Sequence, residues 1–156
     1  MARYTAIELT NMIMIENPET HEILVENRQN PNWAGVTFPG GHVEVGETVT
    51  QSVYREAFEE TGLTIAKPKL MGIKEWPLAD GARYIVFLYK TTTYTGNIHT
   101  SREGEIFWTT REKLLSGQYH LPNTFAEMLP VFDNTNINEL ALHAMVDGVE
   151  KHINWQ

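Results

Sequence analysis

The stretch from Gly40 to Leu63 constrains this chain more than any other, because it joins a glycine pair, a helical repeat and a knot of carboxylates. Thr48 is placed to cap a helix, and Val49, Val53, Ala57, Phe58 and Thr61 supply an apolar stripe at three- and four-residue spacing. Gly62 then stops the helix as a C-terminal glycine does. On that helix Glu56, Glu59 and Glu60 stand at i, i+3 and i+4, so three carboxylates share one face within a turn. Their repulsion costs stability. A hard divalent cation such as Mg2+ or Mn2+, which prefers carboxylate oxygen and water, offsets it.

An acidic helix face taken alone is commonly only solvated. The full spacing sets this one apart: Gly41, five residues, Glu47, seven residues, Arg55-Glu56-Ala57, one residue, Glu59-Glu60, one residue, Gly62-Leu63. This pattern resembles the Nudix box, the signature of the Nudix hydrolase family, with all nine specified positions filled. The resemblance implies that Glu56, Glu59 and Glu60 hold metal, Mg2+ with Mn2+ as an alternative, and that Gly40 or Gly41 adds a backbone carbonyl. It further implies that Glu47 and Arg55 pair to brace the box, so that Arg55 acts by orienting the ligands.

The rest of the chain supplies strands. Tyr4 to Ile15 reads as a strand whose alternation slips near Thr10-Asn11, which marks either a bulge or two short strands. His21 to Glu26 reads as the return strand of a hairpin after the turn Asn17-Pro18-Glu19-Thr20. Further strands are expected at 64–68, 70–76, 83–93 and 105–109, with short helices at 111–116 and from Thr124, the last interrupted by Pro130. The tail from Glu139 is apolar enough for a helix or a strand, and its periodicity does not choose between them. Strands, one helix, more strands and final helices make an α+β arrangement. The resemblance sharpens this to a Nudix-like α/β/α sandwich with a mixed β-sheet and a loop-helix-loop box. Residues 1–133 are expected to form that domain, and 134–156 a C-terminal tail packed on the same domain.

Composition narrows the partners. A net charge of −8 argues against a surface for long nucleic acid, which is held mainly by Lys and Arg. Small phosphorylated ligands remain compatible, because bound cations reverse the local sign. The sequence has no cysteine, which excludes thiolate metal sites and a cysteine nucleophile, and His99, His120, His143 and His152 show no zinc spacing. No apolar run approaches about 18 residues and the first residues lack a signal-peptide core, so no membrane partner and a cytoplasmic location are expected.

Flanking residues speak to substrate. Trp33 to Glu44, Gly72 to Trp76, Arg83 to Val86 and Glu103 to Trp108 look like MutT-type 8-oxo-dGTP diphosphatases of Gram-positive bacteria. That likeness implies a purine nucleoside triphosphate cleaved to a monophosphate and pyrophosphate, with a further carboxylate from a late loop. Glu105 is preferred for this acid because its place immediately before a strand resembles that of the corresponding acid in MutT-type enzymes, and Glu103 is the alternative. Arg28 and Trp33 are candidates to line the base or phosphate site, and Asn123 to meet the base. His42 is expected to be peripheral, since a hard oxygen-rich site has little use for imidazole. Two other readings stay open: hydrolysis of ADP-ribose or another nucleoside diphosphate derivative, and a catalytically idle ligand sensor.

Overall fold

The computed structural model describes residues 3–142, 145–146, 149–150 and 153–156. The strands are β1 (Ile7–Ile15), β2 (Ile23–Arg28), β3 (Gly35–Thr37), β4 (Thr64–Ala66), β5 (Lys69–Pro77), β6 (Arg83–Thr91), β7 (Thr93–Thr95), β8 (Gly104–Thr109), β9 (Glu139–Leu142), β10 (Met145–Val146), β11 (Val149–Glu150) and β12 (Ile153–Trp155). The helices are α1 (Val49–Thr61), α2 (Arg111–Leu115) and α3 (Phe125–Asp133). One sheet has the order β1-β6-β5-β9-β12 and is mixed: β1 runs parallel to β6, and β9 parallel to β5, while β5 and β6 are antiparallel. A second, antiparallel sheet has the order β3-β2-β8.

Side-chain alternation splits the interior into two cores. Ile13 and Ile15 of β1 and Leu24 of β2 pack with Val53 and Ala57 of α1. Their neighbours Met12, Met14 and Val25 pack with Phe125, Met128 and Phe132 of α3. The helices therefore cover opposite faces, which is the expected sandwich. In the α3-side core the Phe38 ring meets the edges of Phe125 and Phe132 at 5.0 and 5.3 Å.

Several expectations are corrected. The slip near Thr10-Asn11 is neither a bulge nor a break: β1 pairs with β6 without interruption from Ile7 to Ile15, and Thr10 to Ile15 are all buried. A strand covered on both faces has no polar face to alternate with, so its periodicity is blurred. The register shift lies in β5, between Leu70 and Gly72. His21 to Glu26 does not return along β1 as a hairpin strand. It pairs with the end of β1 through an isolated Glu16–Ile23 bridge and enters the second sheet between β3 and β8. Phe58, assigned to the buried stripe of α1, is 56% exposed. Helix α3 continues through Pro130 to Asp133. In the tail, β9 and β12 extend the main sheet as strands, while the histidines at 143 and 152 lie outside the described residues.

Candidate active site

Helix α1 begins with a capping box. The Thr48 hydroxyl accepts from the Gln51 N–H, the Gln51 side chain accepts from the Thr48 N–H, and Gly62 closes the other end at φ 80°. This fixes the helix register, and with it the directions of Arg55, Glu56, Glu59 and Glu60. Arg55 forms a clamp. Its guanidinium donates to both Glu47 oxygens at 3.1 and 2.6 Å, to Glu56 at 2.8 Å, to Glu59 at 3.1 Å and to the His42 carbonyl at 2.9 Å. Those bonds hold the Glu47 carboxyl below the usual range and raise the Arg55 pKa.

The glycine pair lies against the helix acids. The Gly40 N–H donates to Glu60 Oε2 at 2.7 Å, and the Gly41 carbonyl accepts from the Asn11 N–H. Backbone excludes a side chain at Gly40, and at Gly41 one would displace the Glu56 carboxylate. A Cβ on Gly40 would lie 2.2 Å from the Asn11 carbonyl oxygen, and one on Gly41 would lie 2.5 Å from Glu56 Oε1.

Glu60 points away from the Arg55 clamp into the protein. Among the described residues, one group of three carboxylates, Glu26, Glu60 and Glu103, has oxygens that all come within 4.8 Å of one another. The three helix acids do not form that group by themselves, because Arg55 gathers Glu56 and Glu59. Burial raises Glu60 to about 10 and Glu26 to about 7, and the neighbouring carboxylates reinforce both. Glu56 is raised as well, by burial that outweighs its bond to Arg55. One Glu26 oxygen, Oε2, is buried without a hydrogen-bond partner. Crowded, desolvated carboxyl oxygens, once ionised, are the donor set that a hard divalent cation takes.

Glu105 is exposed on β8 and lies outside this group. Alternation puts it on the face of Phe107, which packs against the α3-side core, whereas Ile106 faces α1. Glu103 precedes the strand, so the pleat does not bind it, and it reaches the cluster instead. Sequence reasoning missed Glu26. Its signal was a carboxylate following Ile23-Leu24-Val25 on the same strand face as the buried Leu24.

Beyond the glycine pair lies a cleft of about 390 Å³. Trp33, Lys74, Trp76 and Tyr84 line it, and it reaches Gly40, Gly41 and Arg28. Trp76 stacks on Tyr84 with centroids 4.4 Å apart. The Lys74 ammonium lies 5.9 Å from the Trp33 ring and 5.4 Å from that of Trp76, and it donates to the Thr124 hydroxyl at 2.5 Å. Arg28 sits between cleft and acids, with its guanidinium 6.0 Å from the Trp33 ring and 3.6 Å from Glu103. Arg28 and Trp33 are thus brought together as cleft residues, while Asn123 is exposed and does not line it. His42 is at the rim, 2.7 Å from Glu8.

A family model described as NUDIX domain matches residues 9–132. Among curated proteins, the chain is 38% identical over 85 residues to the uncharacterised Nudix hydrolase YvcI of Bacillus subtilis, covering 51% of this chain and 54% of that protein. It is 38% identical over 90 residues to the NAD-capped RNA hydrolase NudC of Haemophilus influenzae, covering 56% of this chain and 33% of NudC. The chain thus spans from about a third to about half of these relatives. Among solved structures, the MutT protein of Bacillus halodurans superposes with a TM-score of 0.74 at 22% identity, over 95% of this chain and 97% of that one. That likeness is one of fold. Among the described residues no helix is long and apolar enough to cross a membrane.

Proposed function

This chain belongs to the Nudix hydrolase family, and from that premise we propose that it hydrolyses a nucleoside triphosphate, 8-oxo-dGTP or a related purine deoxynucleotide, to the monophosphate and pyrophosphate. The observation that carries the reading is the contact at Gly40 and Gly41 between a cleft walled by Trp33, Trp76 and Tyr84 and the acids of α1. A base held between aromatic rings leaves its phosphates at the glycine pair.

In this proposal Glu56, Glu59 and Glu60 hold Mg2+ or Mn2+, with Glu103 joining from the loop before β8. When bound, such a cation neutralises phosphoryl oxygens and lowers the pKa of a coordinated water. The chain's own part is placement. Arg55 fixes Glu56 and Glu59, Glu47 fixes Arg55, and Gly40 fixes Glu60. Trp33 and Arg28 orient base and phosphates. Glu103, the exposed acid of the cluster, would hold the cation through one carboxylate oxygen and accept a proton from the attacking water on the other, as the water oxygen bonds to phosphorus and the anhydride bond breaks toward pyrophosphate.

A second reading is cleavage of a nucleoside diphosphate derivative such as ADP-ribose, supported by the similarity to a hydrolase of NAD-capped RNA. The test is a panel of 8-oxo-dGTP, dGTP, ADP-ribose and NAD with Mg2+ or Mn2+, with products identified. Preferred release of pyrophosphate from the purine triphosphates is expected. Preferred cleavage of ADP-ribose or NAD supports the second reading instead, and no cleavage of any of the four favours a ligand sensor.

A further inference from the structure

We propose that Glu26, a strand residue outside the helix motif, is a direct ligand for a divalent cation that it shares with Glu60 and Glu103. The inference rests on the proposed metal-dependent reading of the site and adds a ligand that the motif does not contain.

The side chain begins where a strand predicts an apolar residue. Glu26 follows Ile23, Leu24 and Val25 in β2, all buried, and is itself 0% exposed. It shares the face of Leu24, so the pleat turns it toward α1. A carboxyl is almost never found so deep without a partner. The partners here are insufficient. Ser101 Oγ lies 3.5 Å from one oxygen, at the limit of a hydrogen bond, and the other oxygen, Oε2, has none.

What surrounds this carboxyl is more carboxylate. Oxygens of Glu26, Glu60 and Glu103 lie within 4.8 Å of one another, and each is an acceptor when ionised. Oxygens around Mg2+, each about 2.1 Å from the ion, stand roughly 3 to 4.2 Å apart, so modest side-chain movement brings these three into one shell. The contrast with Arg55 is informative. Glu47, Glu56 and Glu59 have a guanidinium closed around them at 2.6–3.1 Å. Arg28, the cation nearest Glu103, stays 3.6 Å away, and its own Nε is buried without a partner. The acids around Arg55 are therefore directly hydrogen-bonded to a cation, whereas among the described residues Glu26 and Glu60 have no cation within salt-bridge distance and Glu103 only the looser Arg28.

The competing account is a proton shared among the three acids, with no cation. The two are separated by Mn2+ titration of the purified full chain, with free Mn2+ followed by electron paramagnetic resonance and Mg2+ as competitor. Wild type, Glu26→Gln, Glu56→Gln and the exposed Glu112→Gln are compared, with circular dichroism to verify folding. Glu26→Gln is expected to bind Mn2+ at least tenfold more weakly, or to lose one ion, while Glu112→Gln matches wild type. Glu26→Leu, apolar like its strand neighbours, is the second variant and is expected to show the same loss. Unchanged Mn2+ affinity and stoichiometry in either folded variant, with Glu56→Gln impaired, overturns the role of Glu26 alone. A wild-type chain that binds no Mn2+ overturns the metal-dependent reading itself.

Discussion

Raising the pH of the metal-free protein should destabilise it, and Glu26 gives the magnitude. Its folded-state pKa is about 7, against an ordinary value of 4.5, because burial disfavours the charged form. The folded state then binds the proton more tightly than the unfolded chain. The contribution to stability is fully present below pH 4.5 and is lost as pH rises through 7. A difference of about 2.5 pH units corresponds to about 3 kcal/mol. That is a large fraction of the roughly 5–15 kcal/mol that holds a domain together, and about 6–12 °C in Tm for a chain of this size. Glu60, raised to about 10, extends the loss above pH 7 in the same direction. Glu47 and Glu16, both lowered, act with the opposite sign, but their window lies below 4.5. Urea unfolding in EDTA at pH 5, 6, 7 and 8 for wild type and Glu26→Gln isolates the Glu26 share. The variant should gain on wild type by up to about 3 kcal/mol between pH 5 and 8, and saturating Mg2+ should flatten the wild-type profile. A wild-type–variant difference that stays constant from pH 5 to 8 would refute the reasoning.

Four further outcomes follow from the same geometry. Arg55→Lys keeps the charge but cannot make the two-pronged bond to Glu47 together with those to Glu56 and Glu59; metal affinity should fall roughly 10–100-fold, measured by calorimetry, with the fold intact by circular dichroism. Gly41→Ala places a methyl 2.5 Å from Glu56 Oε1 and should cost about 1–3 kcal/mol in urea unfolding while weakening Mg2+ binding. Trp33→Ala should raise KM for the best substrate of the panel about tenfold with kcat within about twofold, because it removes a ring that binds ground and transition states alike. Glu103→Gln should lower kcat at least about 100-fold while Glu105→Gln stays within about twofold, and the reverse pattern would restore the acid that the sequence favoured.

The parts of the site that were legible in the sequence are those whose geometry is local. A helix fixes the relative directions of Arg55, Glu56, Glu59 and Glu60 within two turns, and its caps at Thr48 and Gly62 are written in adjacent residues. The α+β class likewise follows from the order of elements, and the sandwich from the resemblance of the box to a known family. Residues placed by strand pairing were harder. Glu105 reads as standing before a strand, yet it is the second residue of β8, and the pleat sends it to the face away from α1. Asn123 depended on a loop path that no local pattern specifies. Lys74 was passed over because, within β5, it reads as an ordinary polar position; only the folded chain places it between Trp33 and Trp76.

Glu26 shows why a mismatch between local pattern and residue type is itself informative. An apolar residue at that position would satisfy β2, fill the same space and spare the cluster a charge. The cost of keeping a carboxylate there rises with pH, and in the metal-free chain Glu60 and Glu103 increase it. A ligand that is both positive and oxygen-seeking reverses the sign of every one of those interactions at once, so a destabilising cluster in the metal-free protein becomes one stabilised by binding. Helix acids already matched to Arg55 gain less from the same ion. The stability conferred by metal should therefore be concentrated at Glu26 and Glu60, and the difference in Tm with and without Mg2+ should shrink more in Glu26→Gln than in Glu59→Gln, whose side chain is 58% exposed and held by Arg55.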